Sequence, residues 1–165
     1  MVSITPTQGP LGVSFTNEDV VLVADAAITK GQVCKLTLNT TSTEAAFEIF
    51  DAADVAVVAD AEVGAAGDFK FFGVALEDIA SGSKGQFRLK GRVEALGGGA
   101  VAIGTPLTCD AAGALHAATL DPPANADGGL RVIAVSAFQA VTDGALHPVL
   151  FDGINGFGIV EHTQS

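Results

Sequence analysis

The segment Gln86-Phe87-Arg88-Leu89-Lys90-Gly91-Arg92-Val93 alternates strictly between two kinds of residue. Phe87, Leu89, Gly91 and Val93 project one way, and Gln86, Arg88, Lys90 and Arg92 the other. A period of two belongs to a β-strand with one buried face, because successive side chains leave a strand on opposite sides. The polar face is basic, although the chain as a whole is acidic. It has 8 Lys+Arg against 19 Asp+Glu, a formal net charge of -11. Four of the eight cations (Lys84, Arg88, Lys90, Arg92) fall within nine residues.

The rest of the chain offers further short strands punctuated by glycine. Asp19 to Ala24 is a β-branched run. Gln32 to Leu38 alternates, with a shift around Lys35 that predicts a bulge. Phe69 to Leu76 is apolar after Lys70 and reads as a strand buried on both faces. Glu77 to Ser83 suits a single helical turn or a wide turn, and 94–100, with three consecutive glycines, reads as flexible. Val101 to Asp110 gives a turn and a short strand with Pro106 at an edge. Asp110 to Gly113 turns a hairpin whose return is Ala114 to Ala118. The Pro/Gly-rich stretch 120–129 is the longest loop signal. Leu130 to Phe138 and Leu146 to Phe151 are strands around a turn at Gly144.

The stretch 44–68 carries seven acids (Glu44, Glu48, Asp51, Asp54, Asp60, Glu62, Asp68) and no Lys or Arg. Its local structure is open to two readings. Ala45 to Phe50 fits a strand or a helical turn, and Asp54 to Ala59 fits a strand by β-branching or a helix by alanine content. Val63 to Asp68 is a loop.

A weak echo joins Lys30-Gly31-Gln32-Val33 to Lys84-Gly85-Gln86-Phe87. It reads either as ordinary turn chemistry or as a duplicated strand-turn-strand unit closing a small barrel. Both readings give an all-β chain: a small sandwich or barrel of short strands with at most a short helix. The expected organisation is an N-terminal arm over 1–18, a β domain over 19–151 and a C-terminal arm over 152–165.

Composition narrows the function. A net charge of -11 opposes general nucleic-acid binding, which needs cations to displace phosphate counterions. No run approaches the roughly 18 apolar residues of a membrane span. The first residues, with no basic or long apolar region, do not read as a signal peptide. Hydrophobic residues make up 48% of the chain and charged ones only 16%. A chain this apolar is expected to cover part of its surface with other chains. Cys34 and Cys109 lack a CxxC spacing; a disulfide between them is one reading, and two free buried thiols is the preferred one.

No motif for chemistry stands out. His116, His147 and His162 form no metal-ligand spacing. Asp51-x-x-Asp54 and Asp60-x-Glu62 miss the pattern of a Ca²⁺ loop. Gly97-Gly98-Gly99 lacks the Lys-Ser/Thr of a phosphate loop. The 19 acids could pair for glycoside chemistry, but the chain has no Trp and no Tyr to stack a sugar. The expectation is no enzyme, no metal and no cofactor. The residues singled out are Lys84, Arg88, Lys90 and Arg92, as assembly contacts. Two readings stand side by side for them: ion pairs with the chain's own carboxylates, or contacts with a neighbouring chain.

The stretch Phe72-Gly73-Val74-Ala75-Leu76-Glu77-Asp78-Ile79-Ala80-Ser81-Gly82, leading into Gly91-Arg92-Val93, resembles small head-decoration (cement) proteins of tailed bacteriophages. So does Ala102-Ile103-Gly104-Thr105-Pro106-Leu107 with the hairpin from Asp110 to Leu115. The resemblance covers roughly residues 70–150. The acidic stretch, the three-glycine run and the C-terminal arm have no counterpart in it. It implies a mostly β protein on the capsid exterior, typically a homotrimer, that clamps the major capsid protein of neighbouring capsomers and performs no catalysis. The alternative from another class is a receptor- or glycan-binding β module of a phage fibre or surface structure.

Overall fold

The computed structural model describes residues 16–38, 45–49, 71–110, 112–118, 130–136 and 143–160. The expected strand at Asp54 to Ala59, the loops at 63–68 and 120–129, residues 1–15 of the N-terminal arm, and His162 lie outside them. The described residues form strands and turns with no helix. The strands are β1 (Glu18–Ala24), β2 (Val33–Leu38), β3 (Ala45–Ile49), β4 (Phe72–Ala75), β5 (Lys84–Leu96), β6 (Pro106–Cys109), β7 (Leu115–Ala117), β8 (Leu130–Val132), β9 (Ala134–Val135), β10 (Leu146–Asp152) and β11 (Gly158–Val160). The fold is all-β.

β5 is the axis of the molecule. At 13 residues it is the longest described strand, and its burial alternates as the sequence demands. It runs on through Leu96, beyond the expected end at Val93, because Val93 and Ala95 continue the buried face. Arg88 faces Asp19 of β1 and Val74 of β4, while Lys90 faces Glu18 of β1 and Asp152 of β10. A strand has two edges, so β1 occupies one, and β4 and β10 share the other end to end.

On the first half of β5 the order β1-β3-β2-β4-β5 closes on itself through the β1–β5 pairing, making a small five-stranded barrel. Its core is Ala24, Ile28, Cys34, Ala75, Ile79 and Phe87. On the second half, β10, β9, β6 and β7 continue the sheet. A parallel bridge from Leu115 to Gly97, just past β5, brings the last strand back to the first. A larger core fills this half, with Val93, Leu107, Leu115, Ile133 and Phe151 among its members.

β2 and β4 form the wall between the two cores. Val33 and Val74 face the larger core, and their neighbours Cys34 and Ala75 face the smaller one. This is why all four residues of β4 are buried, and why the sequence there is a continuous apolar run rather than an alternating one. Cys34 and Cys109 are both free and buried, in different cores. Burial pushes the Cys34 thiol up to about 12, because the apolar surroundings oppose the thiolate.

Several local expectations change. Ala45–Ile49 is a strand, antiparallel to β2 and parallel to β1. β2 pairs through Lys35 in unbroken register on both sides, so the expected bulge is absent there. The irregularity lies in the β1–β5 ladder instead, between Glu18 and Asp19, where β5 carries the extra residue Leu89. The run expected as one strand from Leu130 divides at Ile133. β8 pairs with β11, whereas β9 pairs with β10 and β6. The expected C-terminal arm therefore includes a paired strand.

The repeated turn is real, but its register differs from the one the sequence echo suggests. Ile28-Thr29-Lys30-Gly31, Ile79-Ala80-Ser81-Gly82 and Val101-Ala102-Ile103-Gly104 take the same form. The second residue's carbonyl accepts the N–H three residues on, at 3.1, 3.0 and 3.2 Å. The glycines have φ of 88°, 76° and 83°, as the third position of a type II turn requires. Gly31 thus corresponds to Gly82, while Gly85 lies within β5. Ile28 and Ile79 exchange two backbone hydrogen bonds, at 2.9 and 2.8 Å, tying the first two turns together.

Candidate functional site

The basic residues of β5 project from the outside of this double structure. Arg88 is held closely. Its Nε lies 2.5 Å from Asp19 Oδ1 and its Nη2 lies 3.0 Å from Asp19 Oδ2, a two-pronged pair across the β1–β5 ladder. Nη1 donates to the Arg92 carbonyl. Only 15% of the Arg88 side chain is exposed. Lys90 Nζ lies 3.3 Å from Asp152 Oδ2. That carboxylate is buried, and its Oδ1 also accepts the N–H groups of Ile154 and Asn155.

For two of the basic residues the intrachain reading holds. Arg88 and Lys90 are engaged by carboxylates of the same chain, supplied by Asp19 and Asp152 rather than by the acidic stretch. Lys84 and Arg92 are exposed. Eight residues of strand, roughly 25 Å, separate those two, so the four cations do not form a single patch.

A different grouping emerges around Arg92. β1 stops pairing at Glu18, and Asn17 Oδ1 accepts the Arg92 N–H at 3.2 Å. Further along the same edge, Leu96 N donates to Gly31 O at 2.8 Å. Between these two points no described strand lies beside β5. An open groove of about 410 Å³ occupies this region, lined by Lys30, Leu76, Arg88, Arg92, Glu94 and Pro148. Lys30 comes from the first glycine turn and approaches Glu94 at 3.7 Å. Its place here could not be read from the strand pattern, since it depends on the turn docking against Leu96, a contact 65 residues away in sequence.

The histidines are separated. His116 is half-buried, its Nδ1 3.1 Å from the Ala117 carbonyl. His147 is fully buried on the inner face of β10. Among the described residues, no three of His, Cys, Asp and Glu gather closely enough to hold a metal ion.

The fold has a counterpart among solved structures. It is similar to the crystal structure of the head fiber gp8.5 N base in bacteriophage phi29, with a TM-score of 0.50 and 14% sequence identity. The match covers 89% of this chain and 100% of that one. No family model and no curated protein matches this chain.

Proposed function

We propose that this chain is a structural protein of a tailed-phage virion, one that decorates the outside of the capsid and bridges neighbouring capsomers without doing chemistry. The observation that carries the reading is the fold likeness to a phage head fiber base, which extends over the whole of that domain. The decoration-protein resemblance over residues 70–150 points the same way from sequence. The described surface adds a groove lined by Lys30, Arg88, Arg92 and Glu94, whose charged rim suits contact with protein.

In this role the chain acts as a homotrimer on the major capsid protein. Stabilisation follows mass action: copies that bind only the mature lattice shift the lattice toward that state. Weak individual contacts suffice, because several are made by one oligomer at once. The head fiber likeness also favours a second reading, in which the chain is the base of a fibre and its outward end carries a receptor- or glycan-binding part.

Purified protein added to capsids that lack it separates these readings. A decoration protein saturates the capsid surface and raises the temperature at which the heads release their DNA. A fibre base binds with no gain in head stability. Absence of binding to both expanded and unexpanded capsids overturns both readings.

A further inference from the structure

The turn between β10 and β11 carries the pair Asn155-Gly156. Of the four asparagines in the sequence, Asn155 alone precedes a glycine. An asparagine before glycine is the one most open to loss of its side-chain amide, because glycine has no Cβ to screen the backbone nitrogen that attacks. Asn155 is exposed, so water reaches it. Asp152 holds the turn closed. Its Oδ1 accepts the N–H groups of Ile154 at 3.1 Å and Asn155 at 2.9 Å. Its main-chain carbonyl accepts the Gly156 N–H at 3.0 Å. Lys90 Nζ, 3.3 Å from Asp152 Oδ2, fixes the carboxylate from β5. Directly after the turn, Phe157 N donates to Val132 O at 2.8 Å, and β11 begins its pairing with β8 at Gly158 opposite Val132.

We propose that Asn155 is a site of spontaneous deamidation, that the Asp152 clamp sets its rate, and that conversion to isoaspartate unfastens β11 from β8. In the chemical step the Gly156 nitrogen bonds to Asn155 Cγ and gives its proton to water. The bond from Cγ to the side-chain nitrogen breaks, and ammonia leaves. The five-membered succinimide that remains is opened by one water at either carbonyl, giving aspartate or isoaspartate. While the turn is closed, the Gly156 N–H is committed to the Asp152 carbonyl and the backbone around it is fixed. The reaction therefore proceeds from the open turn, at the rate of the free peptide multiplied by the fraction open. Isoaspartate routes the backbone through the former side chain and adds a methylene between positions 155 and 156. The bond from Gly156 N to Asp152 O then loses its geometry. Phe157 and Gly158 follow at once, so the register of β11 on β8 is lost with it. This inference rests on the turn alone and holds whatever the chain binds.

The test incubates the full chain at mildly alkaline pH and follows residue 155 by peptide mass spectrometry, which sees the exchange of NH2 for OH as a gain in mass. The folded wild type converts slowly, and the same chain in urea converts fastest. Asp152→Ala converts at least about tenfold faster than the folded wild type, the factor for losing one hydrogen bond to a charged group from the closed turn. Asn155→Ser gains no mass at this position. Circular dichroism verifies folding. If Asp152→Ala fails to fold, Lys90→Gln takes its place and shows the same direction of change. Absence of conversion in urea overturns the site. Equal rates in the folded wild type and the folded clamp variant overturn the role of Asp152. The isoaspartate form, separated by chromatography, is expected to lose hydrogen-exchange protection in residues 130–132 and 158–160, and unchanged protection there overturns the unfastening of β11.

Discussion

His147 is the residue whose surroundings set the strongest demand. It is 1% exposed. Its Nδ1 lies 3.2 Å from the Ala145 carbonyl and must carry the proton to donate there. Among the described residues its Nε2 has no hydrogen-bond partner. Protonating Nε2 would place a charged donor in the core with no acceptor, at a cost well above that of a neutral unsatisfied atom. Burial therefore lowers the His147 pKa, and the Ala145 bond offsets only part of that. With the folded pKa below the ordinary value of about 6.5, the unfolded chain binds more protons once the pH falls under that value. Stability is then lost from about pH 6.5 downward, at up to about 1.4 kcal/mol per pH unit, until the folded pKa is passed. Urea unfolding at pH 7.5 and pH 5.5 measures this. The wild type is expected to lose more between the two than His147→Leu, in which nothing at that position titrates. Equal losses would show that His147 is accommodated when charged.

At the scale of elements, the junction where β4 and β10 meet along β5 is the most exacting. Gly153 O accepts the Phe72 N–H at 3.0 Å, and Gly153 N donates to Leu89 O at 2.9 Å. A Cβ on Gly153 would stand 2.1 Å from the Phe72 carbonyl oxygen, so backbone would have to move. Gly153→Ala is expected to lower stability by about 3 kcal/mol, near the upper end for overpacking. Gly99→Ala, where a Cβ would meet nothing within 4 Å, should be neutral or slightly stabilising. Thermal unfolding of both variants checks the contrast, and similar melting temperatures would contradict it.

This junction also marks where sequence reading stops. The alternation of β5, the two-sided burial of β4 and the Asp110 hairpin are local patterns, and each appears in the structure as the residues imply. The switch at Ile133 and the extra residue at Leu89 leave no local trace, because both answer to strands far away in sequence. The candidate site divides in the same way. Arg88 and Arg92 are legible as outward residues of one strand. Lys30 joins them through the turn at Gly31, and Lys84 leaves them through distance along the strand.

For the whole molecule the question is whether two cores mean two folding units. The wall between them argues for one. Val33 and Cys34 are consecutive and serve different cores, as are Val74 and Ala75. Phe87 fills the smaller core, and Val93 the larger, from the same face of β5. Melting either half would expose one side of β2 and β4 and strip one part of β5 of its partners. Neither half retains a complete core alone, so the described domain should unfold in a single transition, as small cooperative domains do. Phe87→Ala and Phe151→Ala sample the two cores separately, since both side chains are almost wholly buried. Each truncation is expected to cost about 3–5 kcal/mol and to shift the same transition. Calorimetry decides the matter, with van't Hoff and calorimetric enthalpies that agree in the wild type and in both variants. Two transitions, with Phe87→Ala moving only one of them, would mean that the small barrel is a separate unit and that β5 couples the halves only loosely. One transition would make β5 a rigid link that holds the two cores in one cooperative unit.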